Sequence, residues 1–267
     1  MDLELQGKRA LVTGGSRGIG KAIARALAHE GVAVALLARD PQALADAASE
    51  LAKETGQTVV GVSADTTSDE QVHAAFSQAV QQLGGGIDIL VNAAAEPAGY
   101  AGPPKLAEIT SNFFHGELDT KVMGYIRCAR EVAPYMQKNQ WGRIVNISGL
   151  AARQTGNTVG SIRNIAVAAL TKNLADELGA SGVTVNVVHP GLTRTERTAP
   201  LIQARAAKLG IPASGVEAQL AAGNSIKRIV EADDVANVVL FLCSPKSRAI
   251  NGDVIAAGGG APNSIHY

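Results

Sequence analysis

The sequence is poor in aromatic residues, in cysteine and in net charge. Phe, Trp and Tyr make up 3% of its 267 residues, and Cys128 and Cys243 are its two cysteines. Lys plus Arg and Asp plus Glu number 24 each, so no broad charge favours binding to nucleic acid or to an anionic membrane. The cysteines are far apart and form no CxxC or Cys/His spacing, which indicates core packing and predicts no metal site.

Long apolar runs and a leader pattern are lacking as well. No apolar stretch reaches the length that spans a membrane. The first residues, MDLELQGK, show no basic segment followed by an apolar run. We therefore expect a cytoplasmic protein whose partner is a small molecule rather than nucleic acid or a membrane.

Glycine, in contrast, is abundant, with 29 residues. Short apolar runs bounded by Gly, Asp or Asn alternate with longer segments of helical spacing. This alternation predicts a doubly wound α/β fold, in which helices cover both faces of a parallel sheet. At this length we expect a single domain over residues 1–267. The predicted strands, seven in number, are Arg9–Val12, Val32–Leu37, Thr58–Val62, Ile87–Val91, Arg143–Ile147, Val183–Val188 and Asp253–Ala257.

The segment 196–225 interrupts the alternation of strands and helices. Pro200, Gly210, Pro212 and Gly215 punctuate Ala-rich helical stretches there. An insertion just before the last helix and strand is well placed to cover a pocket, so we interpret 196–225 as a substrate lid.

A glycine-rich loop, TGGSRGIG at 13–20, follows the first predicted strand and opens a predicted helix. Glycines let the backbone turn sharply and approach a pyrophosphate closely. The free N–H groups and the dipole of the helix N-terminus stabilise the negative charge of the phosphates. A loop in this position indicates a Rossmann-type dinucleotide site.

The motifs along the chain resemble those of the short-chain dehydrogenase/reductase family. The family's TGxxxGxG pattern matches Thr13, Gly14, Gly18 and Gly20. Further similarities are Asp65, the partial NNAG match at 92–95, the strand 142–148 that ends in Ser148, Pro190-Gly191 with Thr195, and the segment 251–259. The resemblance implies a nicotinamide dinucleotide cofactor and a homo-oligomer, either a dimer or a tetramer.

The resemblance and the glycine loop together predict which residues contact the cofactor. They are Gly14, Ser16, Arg17, Gly18, Ile19, Gly20, Arg39, Asp65, Thr66, Asn92, Ala93, Ala94, Ile147, Pro190, Gly191, Thr193 and Thr195.

The end of the second predicted strand distinguishes NADP(H) from NAD(H). An acidic residue there would accept hydrogen bonds from the ribose 2′-hydroxyl. This chain instead places Arg39 at or next to that position, with Arg17 inside the glycine loop. Two guanidinium groups suit a 2′-phosphate, so the sequence predicts NADP(H). Asp40 before Pro41 is interpreted as a helix N-cap.

The chain departs from the family's YxxxK pattern. The family's spacing, counted from Ser148, places the tyrosine position at Ser161 and the lysine position at Ile165. One helix earlier, Lys121 stands where the family commonly has an asparagine close to its catalytic lysine. We expect Lys121 to place its ammonium in the space that Ile165 leaves empty, with burial lowering its pKa. The alternative is a surface lysine on an amphipathic helix. The predicted catalytic residues are Ser148, Lys121 and Ser161, while Tyr100 and Tyr125 are weaker candidates.

Two functions remain open from the sequence. The first is an NADP(H)-dependent oxidoreductase that acts on a carbonyl or alcohol through an atypical catalytic set. The second is an NADP(H)-binding protein without turnover, which acts as a sensor or partner subunit. The cofactor motifs and Ser148 favour the first, and the missing tyrosine and lysine favour the second. The substrate is not encoded in any recognisable cluster of the predicted lid.

Overall fold

A computed structural model describes residues 1–95 and 103–262. Its strands are β1 (Arg9–Thr13), β2 (Ala33–Ala38), β3 (Val59–Ser63), β4 (Ile89–Asn92), β5 (Gly142–Ile147), β6 (Val183–Pro190), β7 (Thr193–Arg194), β8 (Val230–Glu231) and β9 (Val254–Ala257). Its α-helices are α1 (Gly18–His29), α2 (Pro41–Thr55), α3 (Asp69–Gln82), α4 (Ser111–Leu118), α5 (Gly124–Lys138), α6 (Thr158–Leu178), α7 (Thr198–Leu209), α8 (Ala213–Ala221) and α9 (Ala232–Cys243).

The main sheet has seven strands in the order β3-β2-β1-β4-β5-β6-β9, all parallel. The strand order reverses between β1 and β4, where Thr13 is paired in register with Asn92. Helices that leave these neighbouring strands diverge to opposite faces, which opens a crevice at their carboxyl ends. The predicted fold is confirmed, and the predicted strands differ from the observed ones by a few residues at their ends.

Side chains alternate across the sheet and pack against helices on both faces. Ala10 and Val12 of β1 belong to a core cluster with residues of α1, α2 and α9. Leu11 between them belongs to a second cluster with residues of α3, α5 and α6. This alternation follows from the period of two in a strand, and it fixes both layers of helices. The helix start at Asp40 is also as predicted, because its carboxylate accepts from the N–H groups of Gln42 and Ala43 at 3.0 and 3.1 Å.

The segment 196–225 contains α7 and α8, which pack on each other around a small apolar cluster of Ile202, Ala206, Val216 and Ile229. The strands β7 and β8 flank the segment and pair with each other in a separate two-stranded sheet that the sequence did not predict. The segment therefore has its own small core beside the main sheet.

Two features that would indicate a function class are absent from the described ranges. Within 1–95 and 103–262 no helix has the length and apolar character needed to cross a bilayer. The same ranges bring together no group of three or more His, Cys, Asp or Glu side chains able to hold a metal ion.

Candidate active site

A cleft of about 1030 Å³ lies at the carboxyl ends of the sheet strands. It is lined by every predicted cofactor residue except Asn92, and by Lys121 and Ser148. Residues of the segment 196–225 also line the cleft, namely Glu196, Arg197, Thr198, Leu201, Leu220, Gly223 and Asn224. The cleft thus joins the predicted cofactor site, two of the predicted catalytic residues and the predicted lid.

The glycine loop has a shape that other residues would not permit. Gly14 and Gly18 adopt φ values of 67° and 57°, in the left-handed region that favours glycine. A Cβ atom at Gly14 would lie 2.9 Å from the carbonyl oxygen of Ala93, and a Cβ at Gly20 would collide with the carbonyl of Gly14. The loop therefore depends on glycine for its close approach to the start of α1.

The N-terminus of α1 is suited to binding an anion. Arg17, at the N-cap, makes no side-chain capping bond, and the first turn contains no acidic residue. The N–H of Gly18 donates instead to a carboxylate oxygen of Glu196, at 3.2 Å. Since the N–H groups and the dipole of a helix N-terminus stabilise negative charge, the position that the Glu196 oxygen takes also suits a phosphate oxygen. The residues present therefore fit a dinucleotide.

The floor of the cleft is held by side chains that the cofactor would not touch. The hydroxyl of Thr13 accepts from the backbone N–H groups of Ala93 and Ala94, both at 3.0 Å. Asn92, predicted to contact the cofactor, is fully buried beneath the cleft, and its amide donates to the side chain of Asn146 at 2.9 Å. The structure does not bring the Asn92 side chain to the cleft lining, because this side chain is bonded inside the core. Asn92 supports the site from below.

Lys121 lies in a single π-helical turn, Asp119–Met123, between α4 and α5. Such turns occur often at functional sites, because the extra residue redirects side chains. Lys121 is 4% exposed, and its Nζ donates to the carbonyl oxygen of Ser148 at 3.0 Å and to Oδ1 of Asn164 at 3.1 Å. The sequence-based prediction that Lys121 enters the pocket is consistent with this placement.

The neighbour of Lys121 on α6 differs from the one predicted. The buried stripe of α6 runs through Gly160, Asn164, Val167 and Thr171, so the face toward the cleft lies one residue before the counted positions. The Ile165 side chain is 53% exposed, so its position is not an inward-facing one that Lys121 could fill. This corrects the expectation for Ile165.

The two predicted catalytic serines differ in position. Ser161 is absent from the cleft lining, and its hydroxyl donates to the carbonyl oxygen of Gln154 at 2.9 Å. The structure thus does not bring Ser161 to the site. Ser148 does line the cleft, and its hydroxyl donates to the carbonyl oxygen of Asn164 at 3.1 Å.

Burial lowers the pKa of Lys121 from 10.5 to about 7, and the nearby Arg163 guanidinium adds to that shift. Glu117 opposes it, and this carboxylate forms an ion pair with Arg163. A lysine with a pKa near neutrality exchanges a proton readily at physiological pH, which a surface lysine does not.

Within the described ranges no tyrosine is placed to donate a proton in the cleft. The hydroxyl of Tyr125 donates to the carbonyl oxygen of Ile147 at 2.8 Å, and burial raises the pKa of this phenol. Neither Tyr125 nor Tyr135 lines the cleft. Tyr100, a weaker candidate from the sequence, lies outside the described residues.

Sequence reasoning missed two buried polar residues near Lys121. Asn164 is 3% exposed at helical spacing from Val167 and Thr171, and this polar position within an apolar stripe was the available signal. His189, at the end of β6, is 1% exposed with an unpaired Nδ1, and burial lowers its pKa to about 4. No local pattern distinguishes His189 from other residues of its strand.

Comparisons with known proteins agree with the site. A family model described as enoyl-(acyl carrier protein) reductase matches residues 14–262. The short-chain reductase protein NovJ of Streptomyces niveus is 34% identical, over 95% of this chain and 93% of its own length. The 3-oxoacyl-[acyl-carrier-protein] reductase FabG of Aquifex aeolicus is 36% identical, over 97% of this chain and 99% of its own.

Among solved structures, L-sorbose reductase from Gluconobacter frateurii, complexed with NADPH and L-sorbose, superimposes with a TM-score of 0.91 at 29% identity. The match covers 99% of this chain and 100% of that one. Sequence, fold and the geometry of the glycine loop lead to the same conclusion: the chain belongs to the short-chain dehydrogenase/reductase family.

Proposed function

We propose that the protein is an NADP(H)-dependent oxidoreductase that reduces a carbonyl or oxidises the corresponding alcohol, with Lys121 as its proton donor and acceptor. The observation that carries the proposal is the buried ammonium of Lys121 at the cleft, held by the Ser148 carbonyl and Asn164. The relatives with carbonyl-reductase names and the NADPH complex of L-sorbose reductase support the reaction class.

The cofactor is assigned to residues on the β1, β2 and β4 side of the cleft. Gly14, Ser16, Gly18, Ile19 and Gly20 would hold the pyrophosphate at the N-terminus of α1. Arg39 and Arg17 both line the cleft beside Asp40, where they suit a 2′-phosphate. The remaining predicted residues that line the cleft would contact the adenine, ribose and nicotinamide portions.

When bound, a nicotinamide cofactor supplies or accepts the hydride. Lys121 supplies the proton that accompanies the hydride. The carbonyl oxygen, which becomes an alkoxide, takes this proton from Nζ. The neutral amine left behind regains its proton from water. In the oxidative direction the neutral amine accepts the proton of the alcohol.

Ser148 has a supporting role in this proposal. Its hydroxyl donates to Asn164 in the structure, so it must turn from that carbonyl to donate to the developing alkoxide. A donor toward such an oxyanion contributes up to about 10²–10³ in rate when it is already aimed at the oxygen, and the need to turn reduces this contribution for Ser148. Ser161 has no part in it, because it does not line the cleft.

The test is steady-state NADPH oxidation over a carbonyl panel that includes a ketose and a 3-oxoacyl thioester, after NADPH binding is established by fluorescence. Lys121→Met is expected to lower kcat by about 10²–10⁴ while NADPH still binds. The matched control is Lys172→Met, which removes an exposed lysine paired with Asp176 on α6. Unchanged turnover by Lys121→Met on an active substrate would overturn the proposal.

The second candidate is an NADP(H)-binding protein without turnover, acting as a sensor or partner subunit. One observation favours it: the buried face of α6 presents Gly160 and Asn164 toward the cleft rather than a phenol and an ammonium. NADPH binding without oxidation of the cofactor by any member of the panel would favour this candidate.

Assembly and location are further proposals. Ile162 and Ile165 leave α6 with exposed apolar side chains, 43% and 53% accessible, which suits packing against a second copy. We expect Ile165→Glu to shift the light-scattering mass toward the monomer, and Ile226→Glu, at an equally exposed isoleucine, to leave it unchanged. A monomeric wild type would contradict the homo-oligomer. A cytoplasmic location remains a prediction.

A further inference from the structure

We propose that Asn164 is the positioning residue for Lys121, and that its side-chain oxygen and the Ser148 carbonyl together direct the remaining position of Nζ into the cleft. The inference rests on the proposed role of Lys121 as the group that exchanges a proton with substrate. It adds a second residue, on a different helix, that decides where that proton points.

The geometry at Nζ carries this argument. An ammonium has three N–H donors in a tetrahedral arrangement. Two of them are used, toward the Ser148 carbonyl at 3.0 Å and toward Oδ1 of Asn164 at 3.1 Å. Within the described residues no third acceptor is bonded to Nζ, and Lys121 lines the cleft. The third proton, or the lone pair of the neutral amine, therefore takes the remaining position, toward a bound substrate.

Asn164 is itself held in one place. It is 3% exposed in the middle of α6, and its backbone carbonyl accepts the Ser148 hydroxyl at 3.1 Å. A Cβ atom at Gly149 would lie 3.1 Å from the Asn164 amide nitrogen, so the glycine leaves room for the amide. The residue thus contacts both predicted catalytic groups, through its side-chain oxygen for Lys121 and its backbone oxygen for Ser148.

The charged groups around the π-helical turn do not replace Asn164. From α4 and α6, Glu117 and Arg163 face Lys121 but form an ion pair with each other. From α5, Arg127 is occupied by Asp119 and Asp69. From β6, His189 stays neutral at physiological pH, because burial lowers its pKa to about 4. Asn164 is therefore the side-chain acceptor of the lysine within the described ranges.

Two substitutions at this position should move the pKa of Lys121 in opposite directions. Asn164→Asp keeps the size of the side chain and adds a negative charge, so it should raise the pKa of Lys121 by about one unit or more. Asn164→Leu keeps the branching at Cγ without the acceptor, so it should lower the pKa of Lys121. A purely structural role would not produce opposite shifts.

The measurement is an NMR pH titration of the full-length protein, labelled with ¹³C at lysine Cε, with Lys121→Met used to assign the signal. Asn173→Asp and Asn173→Leu are the matched controls, since Asn173 is an exposed asparagine on the same helix. Opposite shifts at Asn164, with the Asn173 pair unchanged, support the proposal. Shifts in one direction, or no shift, overturn it.

Folding and the proposed function are tested separately. NADPH fluorescence reports a folded cleft in each variant, and Asn164→Ser, whose short side chain does not reach Nζ, replaces Asn164→Leu if the latter fails to fold. If the titration shows the opposite shifts but no carbonyl is reduced, the positioning role stands and the proposed oxidoreductase function fails. If Lys121→Met abolishes turnover while the Asn164 variants leave the titration of Lys121 unchanged, the proposed oxidoreductase function stands and the positioning role of Asn164 fails.

Discussion

The two sides of the cleft are made from different parts of the polypeptide. The nucleotide side consists of backbone N–H groups, glycines with positive φ and the uncapped start of α1. The opposite side consists of buried side chains, Lys121 and Asn164, that meet from two helices. A site built from backbone depends on a short run of sequence, whereas a site built from side chains can be rearranged by exchanging residues between helices. The glycine motif on the nucleotide side is accordingly the part of the cleft that a short run of sequence identifies.

The largest expected effect is the pH dependence of carbonyl reduction, which tests the side of the cleft that holds Lys121. Since the pKa of Lys121 is lowered to about 7, the ammonium that we propose as the proton donor is lost above that pH. The kcat/KM for carbonyl reduction should approach a tenfold fall per pH unit there, so that it drops about 50-fold between pH 7 and pH 9. Alcohol oxidation should show the opposite limb, with kcat/KM rising up to about pH 7.

The pH dependence of kcat/KM should also be measured for Arg39→Ala, which changes the nucleotide side of the cleft and not the Lys121 side. This substitution should change the affinity for the cofactor, while the fall of kcat/KM above pH 7 should remain. Reduction that stays constant from pH 6 to pH 9 would contradict the assignment of Lys121.

The second effect is on stability. The unfolded chain has an ordinary lysine pKa of 10.5, while the folded pKa is about 7. Between these values the unfolded state binds more protons, so the free energy of unfolding rises with pH relative to a variant without the lysine. From pH 7 to pH 9 the wild type should gain about 2 kcal/mol over Lys121→Met in urea unfolding.

The control for this stability effect is Lys172→Met. Lys172 is exposed and paired with Asp176, so its removal should leave the difference from wild type constant across the same pH range. A constant difference for Lys121→Met as well would mean that the Lys121 ammonium is fully charged in the fold.

The third effect tests the nucleotide side. Arg39→Ala should weaken NADPH about tenfold or more and leave NADH binding nearly unchanged, because a hydrogen bond to a charged group contributes about 1.5–3 kcal/mol. Fluorescence titration with both dinucleotides measures the ratio. Arg248→Ala, at an exposed arginine outside the cleft lining, is the control. Equal affinities of the wild type for NADPH and NADH would refute the NADP(H) preference.

The smallest effect concerns Glu196, whose carboxylate accepts from the N–H of Gly18. Because a phosphate must displace this carboxylate, Glu196→Gln should tighten NADPH binding by about two- to fivefold, in line with charge effects at a helix N-terminus. Glu217→Gln, at a partly exposed glutamate of α8 that does not line the cleft, is the comparison. Weaker NADPH binding by Glu196→Gln would show that the Glu196 carboxylate promotes NADPH binding rather than competing with the phosphate.

Local patterns predicted the sheet and the nucleotide side well. The apolar runs marked the seven strands of the main sheet, and TGGSRGIG marked the loop at the end of β1, since both depend on neighbouring residues. The position facing Lys121 was predicted at Ile165 and lies at Asn164. Counting from Ser148 crosses the irregular segment between β5 and α6, whose path sets which face of α6 turns inward. The Lys121 contact joins residues 43 positions apart, which no local spacing reveals.

The central claim is that Lys121 is a proton donor and acceptor near neutrality. The most direct test is the lysine Cε titration of the wild-type protein, which needs no substrate. A signal that is absent from Lys121→Met and titrates near pH 7 is the predicted result. A Lys121 signal that titrates near the ordinary lysine value of 10.5 would contradict it.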